Sequence, residues 1–314
     1  MKVVFAGGMT ISAQILDMLC REGEIPVHTF GYPPSLAHRS NYMSLDSLAE
    51  QYNFPLTKLK DINDLCVLNI LKRVKPDWFF VFGWSQLVKK ELLAIAKYGT
   101  LGLHMSNLPE GRGRAPVAWT IIKGKTEGCV SLIWLEPEAD SGPIAVQRTY
   151  QISPFDDAGS VVNKVNLIAC EIIKESLSDL RKGSLQKINQ DDSNASYWEK
   201  RTPEDGIINW SLPVRNLYNF IRGTTSPFPG AFAYIDGIKV IVWKSGMIEM
   251  DIAMLPGTII GEYFSHDNEP EMGIAVASNG GILILKSIEI GNEVLSGKSL
   301  LEKANLWKGK QFDS

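Results

Sequence analysis

His104, Asp140 and the arginines of GRGRAP have the types and placement to do chemistry. His104 ends an apolar, strand-like run inside LGLHMSNLPEGRGRAP. An imidazole takes up and returns a proton near neutral pH. In open α/β sheets, ligands bind beyond the carboxyl ends of the strands. That position favours a reactive histidine over one that only packs. Asp140 stands in EPEADSGPI, between two apolar runs. A carboxylate beside an imidazole orients it and stabilises its charged form. An Asp before Ser-Gly also forms turns, and sequence distance alone does not bring it to His104. Arg112 and Arg114 offer forked donors for carboxylate or phosphate, on a backbone that Gly111 and Gly113 leave free to turn. Two solvated loop arginines are the plain alternative. The fourth feature is GGMTIS at the first strand-to-helix turn. Its amides suit a phosphate, or are simply capped by Thr10 or Ser12. It is not GxGxxG, so a dinucleotide site has no support.

The surrounding pattern supplies elements to position these groups. KVVFAGG reads as a strand, and Ile11, Ile15, Met18 and Leu19 follow at helical spacing. Ile25–Phe30 and FPLTKL read as strands, and Trp78–Phe82 as a strand buried on both faces. Helices are expected over 43–52, 62–74, 89–97 and 115–123, with one long amphipathic helix over 156–182. GYPPSLAHRSN reads as a loop, because its two prolines block regular structure. Strands alternating with helices over the first 110 or so residues imply a parallel, doubly wound sheet. Two more strand-like runs, Cys129–Leu135 and Pro143–Ile152, flank the Asp140 loop. Beyond residue 204 the pattern changes. GAFAYIDGIKVIVW reads as a hairpin around Asp236-Gly237. Short Gly-punctuated runs follow, as in a small β-barrel. That segment holds no histidine except His266 and no acid–base cluster. The expected division is 1–185, a polar linker over 186–203, and a β-rich domain over 204–314.

Composition narrows the function. Of 314 residues, 32 are Lys or Arg and 35 Asp or Glu, a net charge of −3. A general nucleic-acid binder usually carries a basic surplus. No apolar run approaches a membrane span and no secretory h-region follows the N-terminus. Cys20, Cys66, Cys129 and Cys170 are scattered without a CxxC, which suits free thiols in the cytoplasm and no metal site.

The motifs together resemble those of the formyltetrahydrofolate-dependent formyltransferases, and within them the sugar N-formyltransferases. That family carries Asn-x-His at a strand end, then Ser-x-Leu-Pro, Arg-Gly, and an Asp-x-Gly loop some 35 residues later. Here stand Gly102-Leu103-His104, Ser106-Asn107-Leu108-Pro109, Gly111-Arg112-Gly113-Arg114, and Asp140-Ser141-Gly142. RTPEDGIINW and SPFPGAFAYI are similar to the start of the family's C-terminal β-domain. The resemblance implies an α/β fold with an N-terminal Rossmann-like domain and a smaller OB-like, β-barrel-like domain. It implies N10-formyltetrahydrofolate as co-substrate, no metal, and His104 in acid–base and oxyanion work with Asp140 orienting it. The pterin would lie against Trp84, Gln86, Leu87, Val88, Glu138 and Ala139; Trp84 could equally be core. The acceptor would enter past Met9, Thr10, Arg112, Gly113 and Arg114.

The acceptor implied is a nucleotide-linked 4-amino-4,6-dideoxy sugar, UDP- or dTDP-bound, as used in bacterial surface polysaccharides. The acidic balance argues against methionyl-tRNA, and a second domain argues against glycinamide ribonucleotide. The β-domain hairpin suits a homodimer surface. One position departs from the family: Gly102 replaces the Asn that, by resemblance, holds the formyl oxygen. Either the space holds about one water that substitutes as donor, or a positive φ or a neighbouring side chain excludes an Asn. The rival outcome is a folate- or nucleotide-binding protein with impaired catalysis.

Overall fold

The computed structural model describes residues 1–265 and 271–313, so His266 lies outside the described residues. The chain forms two compact units. One comprises Met1–Pro116, Glu127–Gln151 and Val162–Glu199, the other Val117–Thr126, Ile152–Val161 and Lys200–Ser314.

The first unit is built on β1 (Val3–Gly7), β2 (His28–Gly31), β3 (Leu56–Lys58), β4 (Trp78–Val81) and β5 (Gly99–His104). It continues with β6 (Arg112–Gly113), β7 (Glu127–Trp134), β8 (Ile144–Gln151) and β9 (Tyr197–Trp198). Seven of these form one sheet in the order β3-β2-β1-β4-β5-β7-β8. β1 and β4 are buried at every residue, as continuous apolar strands must be. The parallel sheet expected from the alternating pattern holds from β3 to β5. Beyond those residues the sheet adds β7 and β8, and β7 runs antiparallel to both β5 and β8. A connection too short for a crossover helix joins β7 to β8, so they pair as a hairpin.

Helices α1 (Thr10–Arg21), α2 (Asp46–Tyr52), α3 (Leu65–Val74) and α4 (Lys90–Leu93) connect the strands, followed by α5 (Pro116–Ile122), α6 (Ala158–Glu175) and α7 (Leu177–Lys182). Two expectations need correction. The helix over 89–97 shrinks to α4, because the Lys97 and Tyr98 amides bond to the Pro76 and Asp77 carbonyls and lead the chain into β5. The single helix over 156–182 is two. It breaks at Ser176, whose hydroxyl donates back to the Ile172 carbonyl at 2.7 Å and competes with the helix ladder.

The second unit contains α8 (Val214–Thr224), strands β10 (Ala231–Ile235), β11 (Ile238–Glu249), β12 (Ile259–Phe264), β13 (Met272–Ser278), β14 (Gly281–Ile290) and β15 (Glu293–Ser296), and α9 (Gly297–Trp307). Asp236 and Gly237 both have positive φ, 51° and 74°, as a tight hairpin turn between β10 and β11 requires. The antiparallel path runs β10-β11-β14-β13-β12. At its two ends, Tyr234 bridges Asp313 and Thr258 bridges Gln311. The C-terminal residues thus link both edges, giving the barrel-like form expected. Its core gathers Trp210, Leu217, Ile221, Val240, Leu283 and Trp307. Within this unit α8 anchors the 153–156 loop: Arg222 Nη1 donates to the Asp156 carbonyl at 2.7 Å, and the Tyr218 hydroxyl to Pro154 at 2.9 Å.

Candidate active site

β5 ends at His104, paired with Ser131 of β7 at the carboxyl end of the strand, its side chain only 6% exposed. Its Nε2 lies 2.8 Å from the Gly111 carbonyl oxygen. A carbonyl only accepts, so Nε2 carries a proton and donates it there. Nδ1 then faces Asp140 Oδ2 at 3.4 Å. The same Oδ2 accepts the Gly113 amide at 2.8 Å. The tertiary structure therefore brings together two groups 36 residues apart in sequence. Asp140 sits at a left-handed φ of 54°, a region Asp tolerates better than most residues. Its side chain is 19% exposed, and Oδ1 has no protein partner among the described residues. The outward-facing atom of the pair thus belongs to the carboxylate, not the imidazole.

Arg112 does not face outward. It is buried, its Nη2 2.6 Å from Asp192 and its Nη1 3.2 Å from the Tyr197 hydroxyl. Burial alone would lower its pKa, but the bonds to Asp192 and Tyr197 outweigh that and hold it raised. β6 pairs with β9 in parallel, Arg112 opposite Tyr197 and Gly113 opposite Trp198. Gly113, at φ 107°, has to be glycine: a Cβ there would meet the Trp198 carbonyl oxygen at 2.4 Å. Arg114 is exposed, and its guanidinium has no partner among the described residues.

At the N-terminal turn, Ser12 Oγ accepts from the Gly8 and Met9 amides at 3.1 and 3.2 Å and donates to the Phe82 carbonyl at 2.7 Å. The Thr10 amide bonds to the Asn41 carbonyl at 2.8 Å. Capping, the plain alternative for this turn, is what forms.

Trp84 packs on the core and also on Tyr32, ring centroids 4.1 Å apart. Its Nε1 donates to Gln86 Oε1 at 2.9 Å, which also takes the Ile62 amide. Leu87 is exposed, and its carbonyl accepts from Asn63 at 3.0 Å. Val88 is buried, yet neither its amide nor its carbonyl has a partner among the described residues. Ala139 is likewise unpartnered among them, while the Glu138 carbonyl takes the Ser141 hydroxyl at 3.1 Å. Unspent backbone donors and acceptors beside apolar walls are what a heterocycle edge needs. The residues at hand fit a pterin.

A family model described as formyl transferase matches residues 1–177, and one described as formyl transferase, C-terminal domain, matches 200–305. The chain belongs to the formyl transferase family. Solved structures with the same fold include WlaRD, a sugar 3N-formyltransferase determined with dTDP and 5-N-formyl-THF. It is 19% identical at a TM-score of 0.64, over 93% of this chain and 98% of that one. An N-formyltransferase from Helicobacter canadensis, in complex with folinic acid and dTDP-3-aminofucose, is 18% identical at 0.65, over 91% and 98%. A methionyl-tRNA formyltransferase from Clostridium thermocellum is 16% identical at 0.58, over 89% and 100%. Formyl transfer from a formyltetrahydrofolate is the family's chemistry.

In this formyl transferase family member the space at position 102 is filled. Residues 102 and 104 of a strand share a face. A Cβ built on Gly102 would meet Leu135 Cδ2 at 2.4 Å and Cγ at 3.0 Å. Of the two outcomes expected here, the structure has the neighbouring side chain rather than a water-sized gap: the three atoms nearest to that Cβ all belong to Leu135. The φ of Gly102 is not positive, so the nearest obstacle to a side chain there is Leu135 and not the backbone conformation. Sequence reading passes over Leu135 and Gln190, since both act through contacts with residues distant in sequence. A polar Gln in an apolar-poor stretch carries no signal of its own.

Proposed function

We propose that this protein transfers a formyl group from N10-formyltetrahydrofolate to the amine of a nucleotide-linked amino sugar, a UDP- or dTDP-4-amino-4,6-dideoxy sugar, in the cytoplasm. The observation carrying this reading is the His104–Asp140 pair, tied by the Gly111 carbonyl and the Gly113 amide. Bound formyltetrahydrofolate supplies the formyl carbon that an amine attacks. Asp140 Oδ1 is placed to take the proton the amine sheds. His104, fixed as an Nε2–H donor, holds its Nδ1 toward the carboxylate and shares that proton, which the pair would return to the folate N10 as the C–N10 bond breaks and tetrahydrofolate leaves. Val88 and Ala139 would hold the pterin edge, with Trp84 and Leu87 as walls. Exposed Arg114 replaces committed Arg112 as the side chain that meets the acceptor's phosphates. A net charge of −3 supports a small anionic acceptor over methionyl-tRNA. Among the described residues, no helix is long and apolar enough to cross a membrane.

Leu135 favours a second reading, in which the chain binds formyl folate and nucleotide with turnover held down. Loss of one oxyanion donor typically costs about 100- to 1000-fold in rate. Purified protein incubated with 10-formyltetrahydrofolate and a panel of UDP- and dTDP-amino sugars separates the two. Consumption with one sugar supports transfer. Saturable binding of both partners without consumption of any would replace it with the binding reading.

A further inference from the structure

We propose that Gln190 is a positioning residue that holds the Asp140 loop against His104; this rests on the reading that the pair does the chemistry. The Gln190 amide spends its whole hydrogen-bonding capacity between the two loops of the site. Its Oε1 accepts Nε and Nη2 of Arg112, at 3.1 and 2.9 Å. Its Nε2 donates to the carbonyls of Asp140 and Gly142, both at 2.7 Å. Guanidinium groups only donate and carbonyls only accept, so this amide has one orientation. Two lone pairs and two N–H groups are all used.

The chain is delivered there by its own pairing. Ile188 exchanges amide and carbonyl bonds with Ile144 at 2.8 and 2.9 Å, which sets residue 190 beside the start of β8. Beyond it, Ser196 Oγ accepts the Gly111 amide at 3.0 Å, and the Ser196 carbonyl accepts the Arg112 amide at 2.9 Å. Gly111 holds His104 Nε2 from one side, and Asp140 holds Nδ1 from the other. Among the described residues, Gln190 is the one side chain that bonds both to the backbone of the Asp140 loop and to the arginine next to Gly111. The loop that carries Asp140 Oδ2, 3.4 Å from His104 Nδ1 and bonded to the Gly113 amide, is thus held by a side chain that touches neither ring nor carboxylate.

Two substitutions separate positioning from simple support of Arg112. Gln190→Glu keeps an acceptor for Arg112 but sets a carboxylate oxygen against the Asp140 and Gly142 carbonyls. Gln190→Leu loses both sets of bonds. A misplacement of about 1 Å can cost about 100-fold in rate. Both variants should lower kcat by at least about tenfold while KM for folate and sugar stays within about threefold. A readout without turnover runs beside this: imidazole ¹H–¹⁵N spectra, with His104 assigned by its loss in His104→Ala. Its ring signals should move in Gln190→Glu in the absence of any ligand. Wild-type kcat and unmoved His104 signals in Gln190→Glu would overturn the proposal, even if Gln190→Leu fails to fold. If the wild-type protein turns over no sugar, the substrate reading falls, and the ring signals still decide the role of Gln190.

Discussion

Replacing Gly102 by the family's Asn tests how the site is packed. The new Cβ would lie 2.4 Å from Leu135 Cδ2, about 1 Å short of ordinary contact. The atom met is the far end of a partly exposed side chain, so part of the clash is relieved by a rotamer change. Overpacking of this kind costs about 1–3 kcal/mol. With about 2–4 °C of melting temperature per kcal/mol for a chain of this size, Gly102→Asn should lower Tm by about 2–12 °C. Leu135→Ala opens the space. In that background, adding Gly102→Asn should cost less than about 0.5 kcal/mol, a coupling that only touching residues show. The same double variant places a fixed amide on the His104 face, and its rate of formyl transfer should exceed that of Leu135→Ala by at least about tenfold. Calorimetry and initial rates of formyltetrahydrofolate consumption measure both effects. An identical Tm change in the two backgrounds would refute the assignment of Leu135 to this space. Relief of the Tm change with no gain in rate would refute the idea that a donor at position 102 faces the formyl oxygen.

Three further outcomes are expected. His104→Ala and Asp140→Ala should each lose at least about 100-fold in turnover with circular dichroism unchanged; near-normal turnover with folate still bound removes that residue from the mechanism. His28 is held below its ordinary pKa by burial and then by Arg73. The unfolded chain therefore binds a proton, below about pH 6.5, that the folded chain refuses. Stability from this residue is complete above that pH and falls as the solution becomes more acidic. His28→Gln, which can keep a bond to Thr57, should flatten Tm between about pH 7 and 5; an unchanged slope counts against it. A chain ending at residue 203 should not fold cooperatively, because α8 supplies Arg222 and Tyr218 to the 153–156 loop. A sharp, two-state melt of that fragment would contradict this.

Much of the fold can be read from local pattern. Val3–Gly7 and Trp78–Val81 are apolar without interruption because parallel strands are covered on both faces, and that signature needs no partner to be recognised. Asp236-Gly237 announces its turn because few residue pairs accept two positive φ values. The same logic places His104 at a strand's end, and its motif with Asp140 points to the family. What local pattern misses has a common cause. α8 and α9 lie among strands, where short amphipathic runs at 214–221 and 300–307 compete with β signals. The hairpin of β7 and β8 depends on the length of one connection. Leu135 filling the place beside Gly102, Arg112 turned inward to Asp192, and Gln190 joining the two loops depend on atoms tens of residues apart. Sequence alone determined which residue types were present for proton transfer and which strands would carry them. Only the tertiary structure decided which donors remain free, because a hydrogen bond or a van der Waals contact is spent on whatever the fold brings within about 3–4 Å, and that neighbour is seldom near in sequence.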